Sequence, residues 1–348
     1  MNQGSLHLTG GFSLPKPLLM LAPMEGLTNS GMRDLIIGCR GVDTVATEFI
    51  RITSPNQTIK SFKRHSVTLQ IQLMASEPEI LSQIIVHLKT KGVLEDNDWV
   101  DLNVGCPSRR VNSHGAGAAL LKDPPKLLSI IHSMRAVHKN GPLSVKTRLG
   151  FESSDEFPEL LQYLKDAPLD LITFHARSKC AAYDAEQLET EKLALAAETL
   201  PYPVIGNGDI DNVEKALSML RDTGVAGCMI GRGAITNPYL FHDIKAALNG
   251  DSFELDPEKR TTELYRFAVG YLRFLQEKET QVKRPQIGPF KEFATWFSRN
   301  PLIGREFFGS VKRLSDLDSV TQFLETKTKL GTTPKTQIFI SPEIQPSL

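Results

Sequence analysis

The chain has no run of about 18 apolar residues, so nothing in it is expected to span a membrane. Its start, MNQGSLHLTGGFSLPKP, lacks a basic stretch followed by an apolar one and does not read as a secretory signal. Only four cysteines occur, at Cys39, Cys106, Cys180 and Cys228, widely spaced and without a CxxC or a Cys/His cluster. That pattern argues against a disulfide framework or a bound structural metal and fits a reducing cytoplasm. No strand-turn-helix carries a clear GxGxxG, which disfavours a doubly wound dinucleotide sheet. Internal repeats and low-complexity segments are also missing.

Net charge is zero over 348 residues, but it is unevenly spread. Residues 256–340 carry 15 Lys and Arg against 10 Asp and Glu, whereas residues 1–255 carry 25 against 29. A basic appendage on a mildly acidic body points to an anionic partner gripped by the C-terminal part.

Short apolar runs with strand character recur at 18–24, 44–50, 67–73, 99–105, 143–150, 169–177, 202–209 and 226–233. Near-continuous Val, Ile and Leu suit a parallel sheet buried on both faces. Helical patterns lie between most of them, at 78–92, 124–139, 157–167 and 212–224. Eight such strands over about 240 residues predict a (β/α)8 barrel, an α/β TIM barrel. From residue 257 to 330 only helical segments remain, which predicts an all-helical bundle with its boundary near residue 250. Little periodicity follows, so the last residues are expected to form a loose tail.

In a barrel, chemistry gathers at the C-terminal ends of the strands. Here those ends are polar at all eight positions: Pro23, Met24 and Glu25; Glu48 and Arg51; Gln70 and Gln72; Asn103 and Cys106; Lys146 and Arg148; His175 and Arg177; Asn207, Gly208 and Asp209; Gly231 and Arg232. Burying so many polar groups without partners is costly, which points to a binding site. The GNGD and GRG turns after strands seven and eight favour a phosphate-bearing cofactor, since glycine lets backbone approach an anion. Lys146 has three competing uses: a solvated rim residue, a Schiff-base nucleophile, or a cation facing an electron-rich ring. For His175 a satisfied core histidine is the commoner case, and only its company at the strand ends favours a ligand contact.

The segments LAPMEGLTNSGMRDL, QIQLMASEPE, DLNVGCPSRRVNSHGAGAALLKDP, SVKTRLG, FHARSK, PVIGNGDI and MIGRGAITNP together resemble the tRNA-dihydrouridine synthases, over about residues 18–330. MEG followed by TEFIR looks most like the C subfamily, which implies uridine 16 of the D-loop as target. Ala176 is a departure, since C-subfamily relatives tend to carry glycine there. The resemblance implies Cys106 as the general acid. It implies FMN lined by Pro23, Met24, Glu25, Gln72, Lys146, His175, Asn207, Gly208, Asp209, Gly231 and Arg232, with NADPH as reductant. It further implies tRNA contacts from Arg51, Asn103, Arg177, Tyr183 and Lys291, and a monomer. Its domain plan is a catalytic barrel over 1–250, a tRNA-binding helical domain over 251–335, and a tail at 336–348.

A thiol suits proton donation to C5 of uracil, because its ordinary pKa of ~8.5 leaves it protonated near neutrality. Arg109 and Arg110 are candidates either to stabilise the thiolate left behind or to bind RNA phosphate. Cys39 and Cys228 are expected to be inert core residues, and Cys180 a loop residue without a role. Phe293, Trp296 and Phe297 have helical spacing and are expected in the bundle core. Lys283, Arg284, Lys291, Arg299, Lys312 and Arg313 are candidate phosphate contacts. Rival readings are a flavin barrel acting on a free pyrimidine, a Schiff-base lyase using Lys146, and a tRNA-binding or folding protein.

Overall fold

The computed structural model describes residues 4–253 and 256–328; the expected tail at 336–348 lies outside them. Eleven strands are present among these residues: β1 (Gly4–Leu8), β2 (Phe12–Lys16), β3 (Leu18–Leu21), β4 (Thr44–Ala46), β5 (Ile50–Arg51), β6 (Thr68–Met74), β7 (Trp99–Asn103), β8 (Leu143–Arg148), β9 (Leu171–His175), β10 (Val204–Asn207) and β11 (Gly227–Ile230). The helices are α1 (Ser30–Gly38), α2 (Pro78–Thr90), α3 (Arg109–Asn112), α4 (Pro124–Val137), α5 (Phe157–Leu164), α6 (Lys192–Thr199), α7 (Val213–Thr223), α8 (Arg232–Thr236), α9 (Leu240–Asn249), α10 (Pro257–Val282), α11 (Ile287–Phe297), α12 (Glu306–Val311) and α13 (Leu317–Thr328).

Eight parallel strands run in the order β4-β3-β11-β10-β9-β8-β7-β6, and β4 pairs again with β6 to close the barrel. This is the TIM barrel expected from the apolar runs. Sequence cues set its helix ends. Asp123 caps α4 by accepting from the Lys126 amide at 3.0 Å, with Pro124 in the first turn. Asn212 caps α7 in the same way at 2.9 Å, and Gly224 ends that helix in the left-handed conformation.

The run at 44–50 is one strand in the sequence but two in the structure. Thr47 turns its hydroxyl to the Gln72 amide (3.0 Å) and Glu48 accepts from the Gly26 amide (2.7 Å), so the chain leaves the ladder between β4 and β5. The antiparallel hairpin β1–β2 had no sequence signal. Its Leu6, Leu8 and Leu14 join Leu18, Met20, Trp99, Leu171, Ile205 and Met229 in one buried cluster. Apolar side chains therefore fill one end of the barrel interior, and the polar groups collect at the other.

The four helices α10–α13 follow the barrel as expected. They do not form a separate core: one apolar cluster runs from Leu19 and Ile71 to Phe293 and Leu324. At the junction a Cβ on Gly31 would fall 2.2 Å from the Phe274 ring, and Asn29 donates to the Tyr271 hydroxyl at 2.9 Å. Helix α11 docks on α8, where the Thr236 hydroxyl donates to the Trp296 carbonyl (3.1 Å) and Asn300 donates to the Thr236 carbonyl (3.1 Å). Because α8 follows directly from β11, this brings the bundle to the strand-end face of the barrel. No helix among the described residues is long and apolar enough to cross a membrane.

Candidate active site

Strand register sets the polar layer. Gln72 pairs with Asp101, Asn103 with Lys146, and His175 with both Arg148 and Asn207. Asp101 is buried and accepts from Gln72 Nε2 at 2.7 Å and from the Ser144 hydroxyl at 2.5 Å. Trp99 Nε1 donates to Ser144 at 2.8 Å. Gln72 Oε1 accepts from Asn103 Nδ2 at 2.8 Å. Asn103 Oδ1 in turn accepts from the amides of Gly105 (3.2 Å) and Cys106 (3.0 Å). Burial raises the Asp101 carboxyl from 3.8 to about 6 against these hydrogen bonds.

Around this network the mouth is cationic. Lys146 is partly exposed, and its ammonium is lowered to about 8 by loss of water and by the Arg148 charge. Arg148 is buried, donating to the carbonyls of Gly105, Ser178 and Ala182, each at 2.9 Å. His175 is held well below its ordinary pKa by burial and by the cations Arg148, Lys146, Arg177 and Arg232, so it is neutral at physiological pH. Asp209 accepts from both Arg177 and Arg232, the latter at 2.7 Å, so this trio keeps one net positive charge.

Cys106 sits in the loop between β7 and α3, half-buried against Met74, Val111, Ala116 and Phe49. Burial and the Glu25 charge push its thiol up, opposed by a Ser108 backbone hydrogen bond and by Arg148 and Lys146. The cations near the sulfur are thus Arg148 and Lys146. Arg109 and Arg110, expected in that role, are exposed on α3. Sequence adjacency suggested them; a neighbouring strand end supplied the charge instead.

The glycine turns are close-packed. A Cβ on Gly208, at φ +148°, would lie 2.7 Å from Leu188. One on Gly231 would lie 3.3 Å from the Met24 sulfur, and one on Gly233 would lie 2.0 Å from the Ile210 carbonyl oxygen. Asn207 Nδ2 donates to the Met229 carbonyl at 2.8 Å and locks β10 to β11. These contacts account for the glycines by protein packing; it is the partly exposed Arg232 and the net positive charge of the Arg177–Asp209–Arg232 trio that fit a phosphate group there. The partly exposed Lys146 fits the polar edge of a flat ring farther into the barrel mouth, while Gln72 is fully buried with both ends of its amide held by Asp101 and Asn103.

Pro23, Met24 and Glu25 form the loop after β3, tied by the Met24 amide to the Thr28 hydroxyl at 2.7 Å. Tyr183 is 54% exposed and faces the site: its ring is 4.8 Å from the Arg232 guanidinium and 6.1 Å from the His175 ring. Arg177 is fully buried, bonded to Asp209 and the Asp184 carbonyl. Arg51 ends the short β5 on β6, and Lys291 belongs to α11; both lie on elements outside the central cluster. Phe293 and Phe297 are buried as expected, and Trp296 is half-buried and packed against the same apolar core. It lies between Arg232 (5.2 Å) and Arg299 (4.0 Å) at the barrel–bundle junction. Cys39 and Cys228 are buried, each thiol pushed up to about 12, and Cys180 is an exposed loop residue.

The family model for Dihydrouridine synthase matches residues 20–286. The tRNA-dihydrouridine(16) synthase of Pseudomonas syringae pv. tomato is 30% identical over 330 residues, covering 89% of this chain and 99% of that one. The enzyme of the same name from Salmonella typhimurium is 28% identical over 320 residues, covering 88% and 98%. Among solved structures, morphinone reductase shares the fold with a TM-score of 0.50 at 14% identity, covering 75% of this chain and 93% of that one.

Proposed function

The chain belongs to the dihydrouridine synthase family, and from that premise we propose that it reduces uridine 16 of the tRNA D-loop to 5,6-dihydrouridine, with bound FMN and with NADPH as reductant. The names of its full-length relatives support both the tRNA substrate and the position. When bound, reduced FMN supplies the hydride that C6 of the base takes up. Gly208, Gly231 and Arg232 would hold the phosphate. Pro23, Met24, Glu25, Gln72, Lys146, His175, Asn207 and Asp209 would surround the rest of the cofactor.

Cys106 gives its proton to C5 of the base, and the resulting thiolate rests near Arg148 and Lys146. The observation that carries this reading is the state of that thiol. It is half-buried, kept protonated by lost hydration, and its backbone amide is fixed at 3.0 Å by Asn103, while two cations stand ready for the charge it acquires. Uridine must leave the RNA stack to reach it. Asn103 and Tyr183 would receive the base, and Arg51 and Lys291 would orient the tRNA. The division of labour follows: residues 1–250 as the catalytic domain and residues 251–335 as the tRNA-binding domain.

The test is anaerobic incubation of tRNA lacking dihydrouridine with the protein, FMN and NADPH, mapping the product nucleotide by nucleotide. Signal at uridine 16 is expected. Signal at another D-loop uridine would overturn the position and keep the chemistry. No product, with NADPH consumed, would overturn the tRNA substrate.

A further inference from the structure

The polar layer contains two side-chain amides, Gln72 and Asn103, whose oxygen and nitrogen ends could in principle be exchanged. Groups with only one hydrogen-bonding sense fix them from both sides. Trp99 Nε1 can only donate, and it donates to Ser144 at 2.8 Å. Ser144 therefore turns its hydrogen to Asp101, at 2.5 Å. An ionised carboxylate can only accept, so Gln72 must present Nε2 to Asp101, at 2.7 Å. Gln72 Oε1 then faces Asn103, which must answer with Nδ2, at 2.8 Å. That leaves Asn103 Oδ1 for the Gly105 and Cys106 amides, which can only donate, at 3.2 and 3.0 Å. Every member from Trp99 to Asn103 is less than a tenth exposed, so water cannot substitute.

We propose that Asp101 is a positioning residue whose carboxylate, acting through Gln72 and Asn103, sets the hydrogen-bond polarity that holds the Cys106 loop in place. Asp101 itself touches neither the sulfur nor the substrate. The assignment rests on the reading of Cys106 as proton donor.

Moving the carboxylate along the relay tests the idea. In Asn103→Asp, a carboxylate oxygen would face Gln72 Oε1, and Asp101 prevents that amide from turning. In Asp101→Asn, the loop amides still hold Asn103 and Gln72 in the parent sense, so the nitrogen of the introduced amide must face Ser144, whose hydroxyl then has to turn away. In the double variant Asp101→Asn/Asn103→Asp, the amides reverse and every donor again meets an acceptor. Ser144 donates to the amide oxygen introduced at position 101, and the nitrogen of that amide donates to Gln72 Oε1. Gln72 Nε2 then donates to the carboxylate introduced at position 103, which still accepts from the loop amides. Atom count and net charge are those of the parent protein.

Single-turnover dihydrouridine formation by pre-reduced holoprotein is expected to fall about tenfold in Asp101→Asn and about a hundredfold in Asn103→Asp, and the double variant is expected to recover to within about tenfold of the parent rather than show the product of the two losses. The rate of Cys106 alkylation by iodoacetamide should follow the same pattern, with each single variant altered several-fold and the double within about twofold of the parent. Independent, multiplying effects on both readouts would overturn the relay. If Asn103→Asp does not fold, recovery of a cooperative melt in the double variant supports the relay and failure to recover opposes it. If the parent protein itself makes no dihydrouridine, the function fails, while the alkylation pattern still decides the polarity.

Discussion

Cys106 and Asp101 show how one residue's chemistry is set by its surroundings. The Cys106→Ala variant is expected to keep FMN and tRNA binding while turnover falls about 10²- to 10⁴-fold, the usual contribution of a positioned general acid. Unchanged turnover would remove Cys106 from that role. Asp101 costs stability: raising a carboxyl from 3.8 to about 6 corresponds to ~3 kcal/mol, as an order of magnitude, once the group is charged. The sign follows from proton binding. Between pH ~4 and ~6 the folded protein holds a proton that the unfolded chain releases, so stability falls as pH rises through that window. Asp101→Asn cannot ionise but disturbs the hydrogen bond to Ser144 at every pH. The Tm difference between variant and parent should therefore shift in the variant's favour as pH rises from 5 to 8. A difference that does not change with pH would contradict a desolvated carboxylate.

At the scale of elements, the turn from β11 into α8 joins the cofactor end of the barrel to the bundle. Gly233 is there because α8 approaches the chain beyond β10 too closely for any side chain. The only relief for a Cβ 2.0 Å from the Ile210 carbonyl oxygen is movement of backbone. Gly233→Ala should therefore destabilise the protein by about 1–3 kcal/mol and weaken FMN binding, read by thermal melts and by flavin fluorescence titration. Full flavin affinity in a destabilised variant would separate the turn's packing role from a binding role.

For the whole molecule, the basic excess of the described C-terminal part lies in the turns between helices that share one apolar core with the barrel, at Lys283, Arg284, Arg299, Arg305, Lys312 and Arg313. The bundle is thus held rigidly beside the strand ends, where a folded RNA could span both parts. Lys291→Glu should weaken tRNA binding at matched salt and reduce the salt dependence of affinity by about one unit of slope, while flavin reduction by NADPH continues. Equal tRNA affinity in filter binding would take Lys291 out of the interface.

Much of this was legible in the chain itself. Buried parallel strands need apolar residues on both faces, so their runs stood out and their spacing implied the barrel. Polar residues ending those runs marked the site, because such groups are not buried without use. What the sequence could not carry was any relation between residues distant in the chain. The charge beside Cys106 comes from Arg148 and Lys146, on the neighbouring strand β8, rather than from the adjacent Arg109 and Arg110. The stoppering hairpin, the burial of Arg177 and the placement of Trp296 between Arg232 and Arg299 likewise depend on which surfaces meet. Residue types and their periodicity determined the architecture and the chemistry on offer. Only barrel closure decided the partners, because the register of neighbouring strands, not distance along the chain, sets which charges and hydrogen bonds face one another.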